Sequence, residues 1–86
     1  MNTYNLVIST PDGSAFEGKA IMLVARGTEG ELAIMAGHIP FITAINAGEC
    51  KVVLPDESEK IALIGGGILT VKSEKTTLLC SEINWK

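Results

Sequence analysis

The single histidine of the chain, His38, is the first residue to test for catalysis. A catalytic histidine needs a nucleophile to activate and a carboxylate to orient its ring. His38 stands in a Gly-His-Ile-Pro segment with no serine or cysteine motif beside it. A transition-metal site would normally need several histidine or cysteine ligands. We therefore predict a structural or interfacial role for His38, and no catalytic residue, cofactor site or metal site in the chain.

Two glycine-rich segments, at 27–31 and 65–67, could be phosphate-binding loops. The first lacks the Gly-Lys-Ser/Thr ending of a phosphate loop, and its two carboxylates would repel phosphate. The second precedes an apolar, strand-like run and not a helix whose N-terminus could hold an anion. A strand bend that lets another backbone approach closely is the favoured interpretation of the triple glycine.

Glu29 and Glu31 form an acidic pair in the first of these segments. Residues two apart point to the same side of a strand, so the two carboxylates could act together. An acid–base pair would need a surrounding pocket, whereas these residues flank Gly30 in a segment that has the composition of a loop. An exposed acidic loop offered to a basic partner and a merely solvated turn are both open interpretations.

Cys50 and Cys80 lie in apolar, strand-like runs, without Cys-X-X-Cys spacing and without a histidine nearby. That pattern does not indicate a zinc or redox site. Free cysteine packs as a small apolar residue, so we predict that both are buried thiols.

The composition limits the size and the class of the protein. A chain of 86 residues has room for one domain, over 1–86, with one small core. Its 47% hydrophobic content excludes a disordered chain, and its net charge of −3 with scattered basic residues argues against nucleic-acid binding. The mean hydropathy of +0.32 is high for a small domain, so we expect some apolar surface to belong to a partner.

Membrane insertion and secretion are not expected. The longest segment without Asp, Glu, Lys or Arg, at 32–48, contains glycine and proline and is shorter than the ~20 apolar residues of a membrane helix. The first residues lack the positive and apolar regions of a signal peptide, so we predict a cytosolic protein.

Short β-type runs separated by turn residues recur along the chain, with no amphipathic helix pattern between them. Tyr4, Leu6 and Ile8 share one face of the first run. The nearly continuous apolar run at 20–25 predicts a strand covered on both faces. Further strands are predicted at 31–35, 41–46, 49–54, 60–64, 68–72 and 76–81. The sequence thus predicts an all-β fold, a small β-sandwich of about eight to ten short strands.

Several motifs follow one another in a characteristic order. They are Gly-Thr-Glu-Gly-Glu-Leu at 27–32, Gly-His-Ile-Pro at 37–40, Thr-Ala-Ile at 43–45 and Gly-Gly-Gly-Ile-Leu-Thr-Val at 65–71. Thr-Pro-Asp-Gly at 10–13 and Phe-Glu-Gly at 16–18 precede them. No one motif is specific alone, but the ordered set resembles the ATP synthase epsilon subunit family over essentially the whole chain.

The resemblance implies a β-sandwich in the rotating central stalk of the F1 sector of an F-type ATP synthase. Such a domain clasps the gamma subunit, sits on the cytoplasmic loops of the membrane c-ring and works within the alpha/beta assembly. The positions that the resemblance implies for the c-ring contact are Thr28, Glu29, Gly30 and Glu31. Those that it implies for the gamma contact are His38, Ile39, Pro40, Phe41 and Ile42.

The implied role is mechanical and non-catalytic, without a cofactor. It implies a peripheral location on the cytoplasmic face of a bacterial membrane, or the equivalent face of an organelle, with the membrane touched only through the c-ring. The apolar excess would then face gamma, with Met35, Phe41 and Ile42 as candidate anchors, although ordinary core packing is equally open for each. Most family members continue into a C-terminal helical hairpin; the sequence ends before it, at Lys86, so regulation by that hairpin is not predicted.

A non-catalytic β-sandwich that binds another protein or a small ligand is the alternative function. A carbohydrate or ligand module would present a concave aromatic platform, whereas the few aromatic residues are dispersed along the chain. An enzyme is the least supported class, because paired acid–base and nucleophilic groups are missing from the sequence.

Overall fold

The computed structural model describes residues 2–86, and ten β-strands account for most of them. The strands are β1 Tyr4–Thr10, β2 Gly13–Ala20, β3 Met22–Gly27, β4 Gly30–Met35, β5 Phe41–Ile45, β6 Gly48–Val53, β7 Glu59–Ile64, β8 Gly67–Val71, β9 Thr76–Cys80 and β10 Ile83–Trp85. The described residues contain no helix long and apolar enough to cross a bilayer. The all-β class and the strand number predicted from the sequence are confirmed.

The strands form two layers of five. The first sheet has the order β4-β3-β6-β7-β10, and all of its pairs are antiparallel. The second sheet has the order β5-β8-β9-β1-β2, in which β1 and β9 are parallel and the other pairs are antiparallel. A single register pair, Gly27 with Ile45, joins β3 to β5 and so links the two sheets.

The core lies between the sheets, because each strand turns alternate side chains inward. Leu6 and Ile8 of β1, Leu23 of β3 and Leu69 of β8 are completely buried. Burying one such side chain contributes about 1.5–3 kcal/mol, so the aliphatic composition is sufficient for a small core without aromatic residues at its centre. Tyr4 and Phe16 pack at its margin.

The expectation that the apolar run at 20–25 is covered on both faces is wrong. Ala20 ends β2, the chain bends at Ile21, and β3 begins at Met22. Along β3, Leu23 and Ala25 are buried and Met22 is only half-buried, which is the alternation of a strand with one face towards solvent. Hydrophobicity alone did not distinguish the two cases, because the outward residues of β3 are also apolar.

Two strands have no pattern in the sequence that would predict them. β2 is mostly exposed and contains Gly18, yet it pairs with β1 along its whole length around a bulge at Ile8 and Ser9. β10 has only three residues and pairs with β7, at the edge of the first sheet. Both are strands because a neighbouring strand offers hydrogen-bonding partners, which is not a local property of the sequence.

Both cysteines are buried and free, as predicted. Cys50 faces the core from β6 and Cys80 from β9, with the Cys80 Sγ 3.7 Å from the Ser9 carbonyl oxygen. Burial, with a smaller effect of Cys80, raises the pKa of the Cys50 thiol to about 11. Burial also raises the pKa of Cys80 and of the Tyr4 hydroxyl, which donates a 2.8 Å hydrogen bond to the Ile34 carbonyl.

These raised pKa values predict alkaline destabilisation. An unfolded thiol ionises near pH 8.5, whereas the buried Cys50 thiol stays protonated until about pH 11. The stabilisation is therefore complete below about pH 8.5 and is lost as the pH rises towards the folded-state value. We expect the urea midpoint to fall between pH 8 and about pH 10.5, and to fall less in Cys50→Ala. A midpoint that is constant over this range would contradict the prediction.

Candidate functional site

The segment at 28–31, here called the acidic tip, is a tight hairpin end and not the longer loop that the composition indicates. Thr28 and Glu29 are the two turn residues between β3 and β4, and Gly27 pairs with Gly30 across the turn. Gly30 has a φ of +126°, a left-handed conformation that glycine adopts without strain. Glu31 already lies in β4, so the two glutamates do not share one strand.

The acidic tip lies at one end of the sandwich, called here the hairpin end. The strand directions bring five connections to that end: 11–12, 28–29, 46–47, 65–66 and 81–82. Three of them carry an exposed carboxylate, on Asp12, Glu29 and Glu82, and none carries a lysine or arginine. The connections at the hairpin end therefore carry only negative charge, and exposed Arg26 lies beside them on β3, opposite Glu31.

The residues at 38–40 lie at the opposite end, called the His38 end, where they connect β4 to β5. The His38 ring packs 4.9 Å from the Phe41 ring, and its Nδ1 is 3.0 Å from the Ile39 carbonyl oxygen. The side chain of Ile39 is 78% exposed. The two predicted contact regions are thus separated by the length of β5.

The outer face of the second sheet is uncharged across four strands. One row of cross-strand neighbours is Ile42, Thr70, Thr77 and Val7, and the next is Ala44, Ile68, Leu79 and Ser9. Ile42 is 71% exposed, and Ile68 and Leu79 are each about half exposed. We call these eight residues the apolar face. It accounts for much of the excess hydropathy, because a sheet face directed to solvent normally carries charged residues.

The three candidate anchors for gamma occupy different places. Ile42 projects from the apolar face, whereas Phe41 is half-buried and packs against the core. Met35 is exposed on the first sheet and lines an apolar groove of about 330 Å³ with Met22 and Val53. Exposure agrees with a partner contact for Ile42, and core packing is the better description of Phe41.

The surroundings of His38 consist mainly of hydroxyl-bearing and apolar side chains. A groove of about 220 Å³ beside it is lined in part by Tyr4, Lys72 and Thr76. The Tyr4 hydroxyl is already bonded to the Ile34 carbonyl, and no carboxylate lines this groove. Between residues 2 and 86, the structure contains no cluster of three His, Cys, Asp or Glu side chains that could hold a metal ion.

The triple glycine at 65–67 is a site of close backbone approach, as predicted. A Cβ atom on Gly67 would collide with the Leu79 carbonyl oxygen and lie 2.9 Å from the Cys80 Cα. A Cβ on Gly65 would collide with the Ser81 hydroxyl. The segment therefore joins β7 to β8 in close contact with the β9–β10 connection, to which it is hydrogen-bonded through Gly65 and Gly66.

Sequence reasoning missed one feature of the site, which is the support of the acidic tip. The Asn46 backbone N–H donates to the Arg26 carbonyl at 2.8 Å, and its side-chain Nδ2 donates to the Gly27 carbonyl at 3.3 Å. These bonds join residues about twenty positions apart in the chain, so no local pattern could indicate them. The signal available was an asparagine at the end of the predicted strand 41–46, which by itself indicates only a turn.

Comparison with known proteins assigns the chain to a family. Residues 3–86 match the model of the ATP synthase delta/epsilon chain β-sandwich domain. The ATP synthase epsilon chain of an Exiguobacterium species is 38% identical over 79 residues, which are 92% of this chain and 58% of that protein. The epsilon chain of a Psychrobacter species is 39% identical over 64 residues, which are 74% of this chain and 46% of that protein. The chain spans about half the length of these curated relatives.

Solved structures agree on the fold. A chain in the cryo-EM structure of the Euglena gracilis mitochondrial ATP synthase (OSCP, F1 and c-ring) superposes with a TM-score of 0.91 at 19% identity, over 96% of this chain and 53% of that one. A chain of the Tetrahymena thermophila mitochondrial ATP synthase central stalk and c-ring gives a TM-score of 0.78 at 14% identity, over 96% and 66%. With its fold and its match over nearly all residues, the chain belongs to the family of ATP synthase delta/epsilon chain β-sandwich domains.

Proposed function

We propose that residues 1–86 act as one rigid domain in the central stalk of an F-type ATP synthase, where they join the gamma subunit to the c-ring and help couple ion flow to ATP synthesis. The observation that carries the proposal is that one small sandwich presents an apolar face and, at its hairpin end, an acidic surface. The epsilon-chain relatives and the stalk structures with the same fold support it. The proposed role is non-catalytic, in agreement with the family and with a His38 groove that no carboxylate lines.

The apolar face is the proposed surface for gamma. A joint in the rotor must stay intact while it transmits the energy of ion passage, which is about 2.3 kcal/mol per charge for each 100 mV. An exposed ion pair contributes only about 0–1 kcal/mol, whereas a packed interface of about 1,600 Å² with apolar anchors is far stronger. Ile42, Ile68 and Leu79 provide exposed aliphatic side chains on one flat surface. The segment at 38–41 extends this surface at the His38 end.

The hairpin end is the proposed surface for the c-ring, with Thr28, Glu29, Gly30 and Glu31 at its centre. Its carboxylates would complement basic side chains in the polar loops of the ring. Such complementarity speeds association and selects orientation more than it adds affinity. The domain would then lie on the cytoplasmic face of a bacterial membrane, or the equivalent organelle face, and approach the lipid only through the ring.

Charge reversal of the acidic tip tests this surface. We expect Glu29→Lys with Glu31→Lys to slow the binding of the full-length chain, in complex with gamma, to c-rings in nanodiscs by about ten-fold or more at low salt, because attraction becomes repulsion. Biolayer interferometry at two salt concentrations measures the rate and its screening.

Glu57→Lys with Glu59→Lys is the matched control. These glutamates have the same spacing and produce the same change in net charge, but they lie at the His38 end of the sandwich. Glu59 forms an exposed ion pair with Lys51 at 3.7 Å, and losing such a pair costs little stability. Equal losses in the two double variants would count against a localised c-ring surface.

A further inference from the structure

We infer that Asn46 is the positioning residue of the acidic tip: it ties the end of β3, where the tip begins, to the end of β5, so that the tip and the apolar face move as one body. The inference rests on the proposed function, because it concerns the connection between the surfaces proposed for the c-ring and for gamma.

The hydrogen bonds of Asn46 reach two consecutive carbonyl groups. Its backbone N–H donates to the Arg26 oxygen at 2.8 Å, and its side-chain Nδ2 donates to the Gly27 oxygen at 3.3 Å. Gly27 pairs with Gly30 across the two-residue turn, so the tip begins directly at this contact. Two donors from one residue define the direction of the hairpin as well as its distance from β5.

The residue before Gly27 is held from a second side. Gly48 has a φ of +151°, and a Cβ atom placed on it would lie 2.8 Å from the Arg26 Cδ and 2.9 Å from its Nε. The Arg26 side chain therefore lies directly across the start of β6. The corner at 46–48 therefore contacts the end of β3 in three ways. The Asn46 backbone N–H and the Asn46 side-chain amide donate hydrogen bonds to it, and the Arg26 side chain packs on Gly48.

The location of this corner determines what it can transmit. Along this seam the two sheets share one register pair, Gly27 with Ile45, next to Asn46. A force applied at Glu29 and resisted at Ile42 has its shortest route through that pair and through the Asn46 bonds, while the core and the Tyr4–Ile34 hydrogen bond hold the two sheets together farther from the tip. A two-residue turn has little internal freedom, so the acidic tip moves mainly by rotation about the Gly27–Gly30 pair. Asn46 opposes that rotation.

Hydrogen exchange in the full-length chain tests the positioning. We expect Asn46→Ala to speed exchange of the backbone amides at 30–32 by about five-fold, since one hydrogen bond is lost. Asn46→Gln, which retains an amide donor, should restore much of the protection. Asn5→Ala is the control, because the Asn5 Nδ2 makes a bond of the same kind, 3.3 Å to the Glu74 carbonyl at the other end of the sandwich. Unchanged exchange at 30–32 in Asn46→Ala would overturn the inference.

The assembled ATP synthase tests the mechanical consequence. At a fixed ion gradient, we expect Asn46→Ala to lower the rate of ATP synthesis about two- to five-fold, the range expected for one weakened contact, with gamma affinity unchanged and Asn5→Ala normal. Faster amide exchange at 30–32 together with a normal rate of ATP synthesis would contradict the role of Asn46 in transmission. If the proposed function is wrong, the unmodified chain will not bind gamma or the c-ring in the binding experiments. That result is independent of the Asn46 variants, so the two failures are distinguishable.

Discussion

Gly67→Ala is expected to destabilise the sandwich by about 3 kcal/mol, which is a large part of the stability of so small a domain. The added methyl group would collide with the Leu79 carbonyl oxygen and press on the Cys80 Cα. Both neighbours are backbone atoms of β9, which is paired on its other side with β1. Relief would require separating β8 from β9 at the middle of the second sheet. Urea unfolding followed by circular dichroism measures the loss.

The two preceding glycines are matched controls for this prediction. A Cβ on Gly66 would meet nothing closer than 3.5 Å, so Gly66→Ala should change stability by less than about 0.5 kcal/mol. A Cβ on Gly65 would collide with the Ser81 hydroxyl, a side chain that can rotate away, so its cost should be intermediate. The order Gly67, Gly65, Gly66 is the expected result. A Gly66→Ala variant as unstable as Gly67→Ala would show that the collision with β9 is not the cause.

Ile42→Asp is expected to weaken gamma binding by about 100-fold, which corresponds to about 2.7 kcal/mol. Ile42 is the most exposed aliphatic residue of the apolar face, and a carboxylate at that place would be desolvated without a partner. Since the side chain is 71% exposed in the free chain, its replacement should leave folding nearly unchanged. Titration calorimetry of the full-length chain with purified gamma is the measurement, and the unmodified chain should bind more tightly than about 10 μM.

Leu63→Asp is the control for Ile42→Asp. Leu63 is also an aliphatic strand residue, 47% exposed, but it projects from β7 on the opposite outer face of the sandwich. We expect its affinity for gamma to stay within about two-fold of the unmodified chain. Ile68→Asp and Leu79→Asp should resemble Ile42→Asp. If Leu63→Asp instead disrupts binding and Ile42→Asp does not, gamma binds the first sheet and the proposed orientation is reversed.

Local sequence was sufficient where one strand face is apolar and the other is not. The alternation of Tyr4, Leu6 and Ile8 predicted β1 and its inward face, and both are confirmed. Pro11 and Gly13 favour turn backbone by their own geometry, and the structure has its turn at 11–12. The buried cysteines belong to the same class of prediction. In each case the energy that selects the structure comes from residues close together in the chain.

Local sequence failed where pairing decides the conformation. The strand at Gly13–Ala20 is polar and exposed, and it exists because β1 lies beside it. The run at 20–25 was interpreted as doubly covered because its outward residues happen to be apolar. The pattern of one strand does not reveal whether another layer covers it.

The placement of the candidate surfaces depended entirely on the topology. Ile42, Ile68 and Leu79 look like ordinary strand residues until the β5-β8-β9 order aligns them on one outward face. The same order carries the segment at 38–40 and the acidic tip to opposite ends, although the two are neighbours in the chain. Composition and short-range periodicity therefore suffice for the fold class, and the ordered motifs suffice for the family resemblance. Which side chains meet on a surface is decided by contacts between residues distant in the chain. Closing the long loops between such residues costs chain entropy, which is offset only when the whole sandwich packs.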